Sequence, residues 1–320
     1  MTYQLGTISD DLDTLPKLPA WVTSQRAETP EAVAFRSGAV LTVLDELVTD
    51  PNHGIPLKLL ANRLALKAAT ATSRLEGRLA REVDIRDAYR LTPPGEASGP
   101  DGDLLAFWRN AAQLRLNSRD WHAGLRSLVG PNFADEVAIW IEPGTEHIKK
   151  YGPMAGCSSV MRAVLEFDDR AERVACLLSD IVLARALNWL SVLPVSAQCL
   201  TKAMLRDLVA EGQGAELTVQ MRLLESIEDT ICISRDLSAR VEALRKVAPK
   251  LRAKGSDAAV NLFLSEDAVA PSTMLSPMIQ GTTILMTDRA ARRFCDRLVE
   301  LGVVRELTGR PTFRLYGFAP

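Results

Sequence analysis

Four arginines near the end of the chain have the chemistry that contacts to nucleic acid require. Arg289, Arg292 and Arg293 lie within residues 287–301, a segment with helical periodicity, and Arg310 lies in the turn that follows. Guanidinium groups donate paired hydrogen bonds to phosphate oxygens and to base edges. The sequence therefore predicts these four arginines as the nucleic-acid-binding residues, three on the exposed side of a helix and one at the tip of a hairpin.

The same arginines can also be read as ordinary solvated side chains. Asp296 and Glu300 lie on the same segment, at spacings that allow ion pairs along one helix face. Residues 287–320 hold seven arginines and four acids, and residues 56–90 hold eight bases and four acids, whereas the formal net charge is −2. Two local stretches could thus present basic surfaces to a polyanion, although the protein as a whole is not basic.

The histidines and cysteines have no spacing that indicates a metal site or a catalytic pair. A zinc site needs about four clustered ligands, and none of the three histidines lies within four residues of a cysteine or another histidine. Cys157 is a nucleophile only if His147 approaches it in the fold, and a buried thiol is the default interpretation. The sequence contains no Walker A, nucleophile-elbow or zincin motif. We expect no metal, no cofactor and no catalytic residue.

Asp180 interrupts the most hydrophobic part of the sequence, residues 174–193. A carboxylate buried there needs a partner or acquires a raised pKa, which is the setting for acid–base chemistry. The favoured interpretation is a structural ion pair with a nearby arginine, such as Arg173 or Arg185.

Composition and compartment point to an ordinary globular protein. Of 320 residues, 47% are hydrophobic, 24% are charged and 5% are aromatic, which favours helical cores built from Leu, Ala and Val. Residues 1–20 carry three aspartates and no basic, then apolar, signal-like pattern, and we find no apolar run of about 18 residues. Five widely spaced cysteines fit reduced thiols. These features predict a cytoplasmic protein that makes no contact with a membrane.

The hydrophobic pattern predicts a mainly α-helical protein. Residues 1–30 read as an extended segment and residues 31–250 as a multi-helix body, with loops at 92–103 and, because of its glycines and prolines, at 142–157. Lys254 and Gly255 mark a hinge to a further unit, residues 255–320.

This C-terminal unit has the pattern of a winged helix. A short helix over residues 257–264 precedes the arginine-bearing helix, for which Thr287 is the N-cap and Gly302 the stop signal. Two strand-like runs, residues 303–307 and 312–318, then form a short β-hairpin around Arg310.

Two parts of the sequence resemble a known bacterial family. The strings DRAARRFCDRLVELGVVRELTGRPTFRLYGF near the end and RLALKAATATSRLEGRLAREVDIRDAYRLTPPG with LLAFWR nearer the start resemble domain of unknown function 1403. These are chains of about this length, chiefly from rhizobia and relatives, so the resemblance covers most of residues 30–320. It implies a cytosolic bacterial protein and supplies no activity or catalytic residues.

The leading functional hypothesis is a non-enzymatic regulator or adaptor that acts through the winged-helix-like module. In one form of this hypothesis the module binds DNA. One alternative is a protein–protein interaction module with a degenerate wing, whose partner is another protein or a second copy. The other is an enzyme whose site is assembled only in the fold.

Overall fold

The computed structural model describes residues 15–24, 28–93, 95–212, 214–251, 254–310 and 312–318. Over these residues the chain is mainly helical, with one two-stranded antiparallel sheet near the C-terminus. The α-helices are α1 (Ala20–Thr23), α2 (Pro30–Thr49), α3 (Leu57–Leu75), α4 (Glu82–Leu91), α5 (Gly99–Gln113), α6 (Trp121–Val129), α7 (Val137–Tyr151), α8 (Pro153–Phe167), α9 (Glu172–Ala186), α10 (Lys202–Val209), α11 (Ala215–Val247), α12 (Ser256–Phe263) and α13 (Asp288–Glu300).

The N-terminal helices follow the sequence signals. Thr29 caps α2 by accepting a hydrogen bond from the Ala32 amide, and Pro30 occupies the first position, where a missing N–H is tolerated. Gly77, with φ of 78°, lies between α3 and α4. Of the extended segment predicted for residues 1–30, residues 1–14 and 25–27 lie outside the described residues, and α1 occupies part of the remainder.

The irregular stretch predicted over residues 142–157 is instead helical, formed by the end of α7 and the start of α8. Gly152, with φ of 92°, separates the two helices, but the other two glycines serve close helix packing: a Cβ on Gly144 would lie 2.1 Å from Val160 Cγ2, and one on Gly156 would lie 2.1 Å from Ile148 Cγ1. The prediction was wrong because glycine indicates either a turn or a close approach of two backbones, and this packing selects the second.

Two other boundaries differ from the pattern. The last part of the loop predicted at 92–103 is the first turn of α5, which begins at Gly99. The hydrophobic pattern also favours two separate helices over residues 218–233 and 237–247, whereas the structure has one helix of 33 residues there, α11.

Buried apolar side chains form one contiguous cluster through the described residues. It includes Leu44 and Trp108 from the N-terminal helices as well as Phe263, Leu298 and Phe318 from the C-terminal residues. The division into a body and a separate module therefore remains a prediction, and the two parts share a packed boundary.

The C-terminal residues form a compact arrangement of helices and short extended segments. Strands β1 (Arg305–Glu306) and β2 (Tyr316–Gly317) pair antiparallel and are shorter than the predicted runs. Val269 forms an antiparallel bridge with Tyr316 on the other side of β2, through amide–carbonyl distances of 2.8 and 2.9 Å. One turn of π-helix, Pro271–Leu275, follows Val269 and leads towards α13.

Within the part of the chain that the structure describes, we find no helix with the length and apolarity needed to cross a bilayer.

Candidate functional site

Helix α13 is held in place by its apolar face and presents its basic face to solvent. Thr287 accepts a hydrogen bond from the Ala290 amide and so caps the helix, as predicted. Its buried residues, Ala291, Phe294, Cys295 and Leu298, recur at three- and four-residue steps. The arginines between them are exposed as a geometric consequence of this packing.

A groove of about 480 Å³ runs along one side of α13. Its basic lining residues are Lys250, Arg289, Arg293 and Arg297. Arg297 pairs with Glu300 at 2.8 Å, a contact that the sequence allowed. The other three basic residues make no ion pair or side-chain hydrogen bond with any residue that the structure describes; they are Arg289, Arg293 and Lys250. The groove therefore carries positive charge that the surrounding residues do not neutralise.

The four arginines predicted as a set do not lie together. Arg289 and Arg293 share the groove. Arg292 pairs instead with Asp288, one turn earlier on the same helix, at 2.9 Å. Arg310 pairs with Asp87 of α4 at 3.3 Å. The structure thus brings two of the four into one site and gives the other two acidic partners.

Lys250 is the groove residue that the sequence analysis missed. It ends a short 3-10 turn, Ala248–Lys250, directly after α11. It lies 39 positions before Arg289 in the sequence and outside the predicted module. No local pattern could have linked the two, because only the folding of the chain brings the turn after α11 to the groove beside α13.

The hairpin loop is organised by Glu306. Its carboxylate accepts hydrogen bonds from the amides of Thr308, at 2.8 Å, and Gly309, at 2.9 Å. Burial favours a higher pKa for Glu306, but the hydrogen bond from the Thr308 hydroxyl, together with these two amide hydrogen bonds, outweighs it and lowers the pKa below its ordinary value. Phe313 lies further along this loop with a positive φ of 55° and is 70% exposed.

A buried ionic cluster attaches the C-terminal residues to α4 and α5. Arg90 lies 2.5 Å from Glu266 and 2.7 Å from Asp267, and Arg109 contacts the same two carboxylates, with 2.9 Å to Asp267. All four side chains are almost fully buried. Burial alone would raise the pKa of Asp267, but the two guanidinium groups outweigh it and hold that pKa well below its usual range.

Two further arginines bind backbone carbonyls of the C-terminal residues. Arg63 of α3 donates to the Phe318 carbonyl at 3.0 Å, and Arg86 of α4 donates to the Leu307 carbonyl at 3.1 Å. Both are buried. The β-hairpin is therefore fixed against α3 and α4, which explains why Arg310 reaches Asp87.

Asp180 makes no ion pair with any residue that the structure describes, and Arg173 and Arg185 pair elsewhere, so the predicted contact with either of them is wrong. Its Oδ1 accepts hydrogen bonds from the Val195 amide at 3.2 Å and from the Ser196 amide and hydroxyl at 2.8 and 2.6 Å. Burial raises its pKa to about 7, and these hydrogen bonds oppose that rise only in part. The carboxylate lies between α9 and the chain that follows it, and it fixes the backbone of Val195 and Ser196.

The two arginines have other partners: Arg173 contacts Glu76 and Arg185 contacts Glu142, both nearer the surface. For these long side chains, an ion pair with a partly solvated acid costs less desolvation than an ion pair with a carboxylate inside the core would cost.

Cys157 has the surroundings of a structural thiol. Its Sγ donates to the Ser179 carbonyl at 3.6 Å, and burial raises its pKa to about 12. A thiol in this state supplies little thiolate for nucleophilic attack. Across the described ranges, no three His, Cys, Asp or Glu side chains come together in a way that could hold a metal ion.

The sequence matches a known protein family. A protein family described as "Protein of unknown function (DUF1403)" matches residues 6–318, nearly the whole chain. No curated protein matches the sequence.

Proposed function

Since the chain belongs to the DUF1403 family, whose description assigns no activity, we propose a function from the geometry of the groove beside α13. In this proposal the groove binds the phosphate backbone of duplex DNA, and residues 255–320 act as a winged-helix-like module. The protein would then be a DNA-associated regulator or adaptor.

The order of the C-terminal elements supports a winged-helix-like arrangement. Helix α12 is followed by the extended residue Val269, the π-helical turn, α13 and the two strands. Val269 pairs with one side of β2 and β1 pairs with the other, which gives three extended segments edge to edge. The rings of Phe263 and Phe294 pack 6.4 Å apart and join α12 to α13. In such modules the second of the packed helices is the one that enters the major groove.

The main observation behind the proposal is that some arginines of α13 form ion pairs and others do not. Arg292 and Arg297 are paired to acids of α13 itself, whereas Arg289 and Arg293 have no acidic partner among the described residues. Unpaired guanidinium groups beside Lys250 concentrate positive potential in a concave surface, which is the electrostatic signature of a polyanion site.

The proposal assigns Arg310 a secondary contact. Its ion pair with Asp87 leaves the Arg310 side chain 56% exposed. Ion pairs of this exposure contribute about 0–1 kcal/mol, so a phosphate could displace Asp87 at little cost. Arg292, paired at a similar exposure, is in the same position.

The test is a gel-shift titration of the full chain with a mixed-sequence duplex at about 50 mM salt. We expect the double substitution Arg289→Ala and Arg293→Ala to weaken binding at least about tenfold. The slope of log affinity against log salt should become less negative by about 2, because each lost phosphate contact removes about 0.9. Arg119→Ala is the matched control, since Arg119 is an exposed arginine on the connection between α5 and α6.

Two results would contradict the proposal. One is that the full chain retards no duplex at micromolar concentration. The other is that the Arg119 variant loses as much affinity as the double variant. Binding of an acidic protein by the same groove, with no DNA binding, would favour the alternative of a protein–protein interaction module.

A further inference from the structure

A second concave site lies in the helical body. A cavity of about 730 Å³ opens between the end of α2, the start of α3, the end of α5 and the chain after α9. This volume falls within the range of roughly 300–1,000 Å³ typical of small-molecule sites. It shares no lining residue with the groove beside α13.

The walls of the cavity are largely apolar. Val48, Ala61, Val192 and Leu193 contribute to them. Leu57 and Leu190 line the same cavity and remain 46% and 58% exposed. Large aliphatic side chains with this much exposure indicate apolar surface that a ligand could cover.

The chain after α9 that forms one wall is held firmly. Asn188 has a positive φ of 55°, a conformation that asparagine tolerates better than most residues. The Trp189 indole donates to Asp45 at 2.7 Å, and the Leu116 amide donates to the Leu190 carbonyl at 3.0 Å. These contacts fix the wall of the cavity, so that binding requires little reorganisation.

The charged residues that line the cavity are both cations, Lys58 and Arg115. Arg115 is exposed and makes no side-chain hydrogen bond or ion pair with the described residues. Lys58 lies 3.3 Å from Glu266, but Glu266 also neutralises Arg90 and Arg109, so the positive charge of Lys58 is only partly compensated. A ligand that fits this charge distribution is an anion.

We propose that this cavity binds a small amphipathic organic acid. The carboxylate would lie towards Arg115 and Lys58, and the apolar part would cover Leu57 and Leu190. Gln113 also lines the cavity and adds an amide group, whereas the Asn62 amide already donates to the Ser265 carbonyl at 2.7 Å. The proposal is independent of DNA binding, because none of these residues belongs to the groove beside α13.

Isothermal titration calorimetry of the full chain with two probes, decanoate and naphthalene carboxylate, tests the proposal. We expect saturable binding of at least one of them with one site per chain. Decanol, which has the apolar part without the charge, should bind at least about tenfold more weakly than decanoate. Arg115→Gln should weaken binding of the acid about tenfold, and Leu190→Glu should abolish it by placing a negative charge at the apolar wall.

Arg119→Gln is the matched control and should bind like the unmodified chain. Both substituted cavity residues are exposed, so we expect melting temperatures within a few degrees of the unmodified protein. The proposal is overturned if neither acid binds saturably at millimolar concentration. It is equally overturned if Leu190→Glu binds as well as the unmodified chain, or if decanol binds as tightly as decanoate.

Discussion

Replacing Asp180 by asparagine should change how the stability of the protein depends on pH. Burial raises the pKa of Asp180 to about 7 in the folded protein, from an ordinary value of 3.8. Between these two values the folded state keeps a proton that the unfolded state has released. The folded state then binds more protons, so the free energy of unfolding falls as pH rises. The contribution is fully present below pH 3.8 and is lost by the time pH exceeds about 7.

The structure sets the size of this effect. The two pKa values differ by about 3, and a difference of one corresponds to about 1.4 kcal/mol. The free energy of unfolding should therefore fall by about 4 kcal/mol across the whole range, of which about 3 kcal/mol falls between pH 5 and pH 8. Asparagine cannot ionise, and its side-chain oxygen can still accept from Val195 and Ser196. The variant should lack this fall.

Urea unfolding followed by circular dichroism, at several pH values between about 5 and 8, measures the effect. The difference in unfolding free energy between the unmodified chain and Asp180→Asn should change by about 3 kcal/mol over that range. Asp267→Asn is the control, because the pKa of Asp267 is shifted in the opposite direction. The pKa of Asp267 is lowered in the folded protein, so its stabilisation is present above pH 3.8, is lost only at lower pH, and stays constant between pH 5 and 8. Parallel pH profiles for the unmodified chain and the Asp180 variant would refute the reasoning.

Two further substitutions test the packing. Leu298→Ala should lower the unfolding free energy by about 2–5 kcal/mol, because Leu298 is fully buried in the apolar face of α13; unchanged thermal melting would contradict this placement. Gly144→Ala should cost about 1–3 kcal/mol, because its new methyl group meets the stiff Val160 side chain of α8. The double variant with Val160→Ala should recover part of that loss. If chemical denaturation shows that the two single changes in unfolding free energy simply add in the double variant, the contact is contradicted.

Local signals predicted α13 well because every determinant of that helix lies within its own sequence. The Thr287 cap, the Asp288 charge in the first turn and the apolar stripe through Phe294 are all read from neighbouring residues. The same kind of signal misled at Gly144 and Gly156, where glycine serves contact between two helices. Whether a glycine marks a turn or a contact depends on the partner helix, which a single segment does not reveal.

The ion pairs at the site could not be predicted from neighbouring residues for a related reason. The arginine spacing on α13 correctly indicated an exposed basic face, but it could not show that Arg310 would meet Asp87 or that Lys250 would join Arg289. The contact between Arg109 and Asp267 joins residues 158 positions apart. Ion pairs of this sequence separation have no periodic signature, so composition alone leaves the partners undetermined.

The buried ionic cluster has a consequence for synthesis of the chain on the ribosome. Arg90 and Arg109 leave the exit tunnel well before Glu266 and Asp267, and until then their guanidinium groups lack these two carboxylate acceptors. At a synthesis rate of about 5–20 residues per second, the 158 residues between Arg109 and Asp267 correspond to a delay of about 8–30 s. During that interval we expect the faces of α4 and α5 that carry these arginines to remain uncovered and accessible to chaperones. The ionic contacts that join α4 and α5 to the C-terminal residues would form only after Glu266 and Asp267 have left the tunnel.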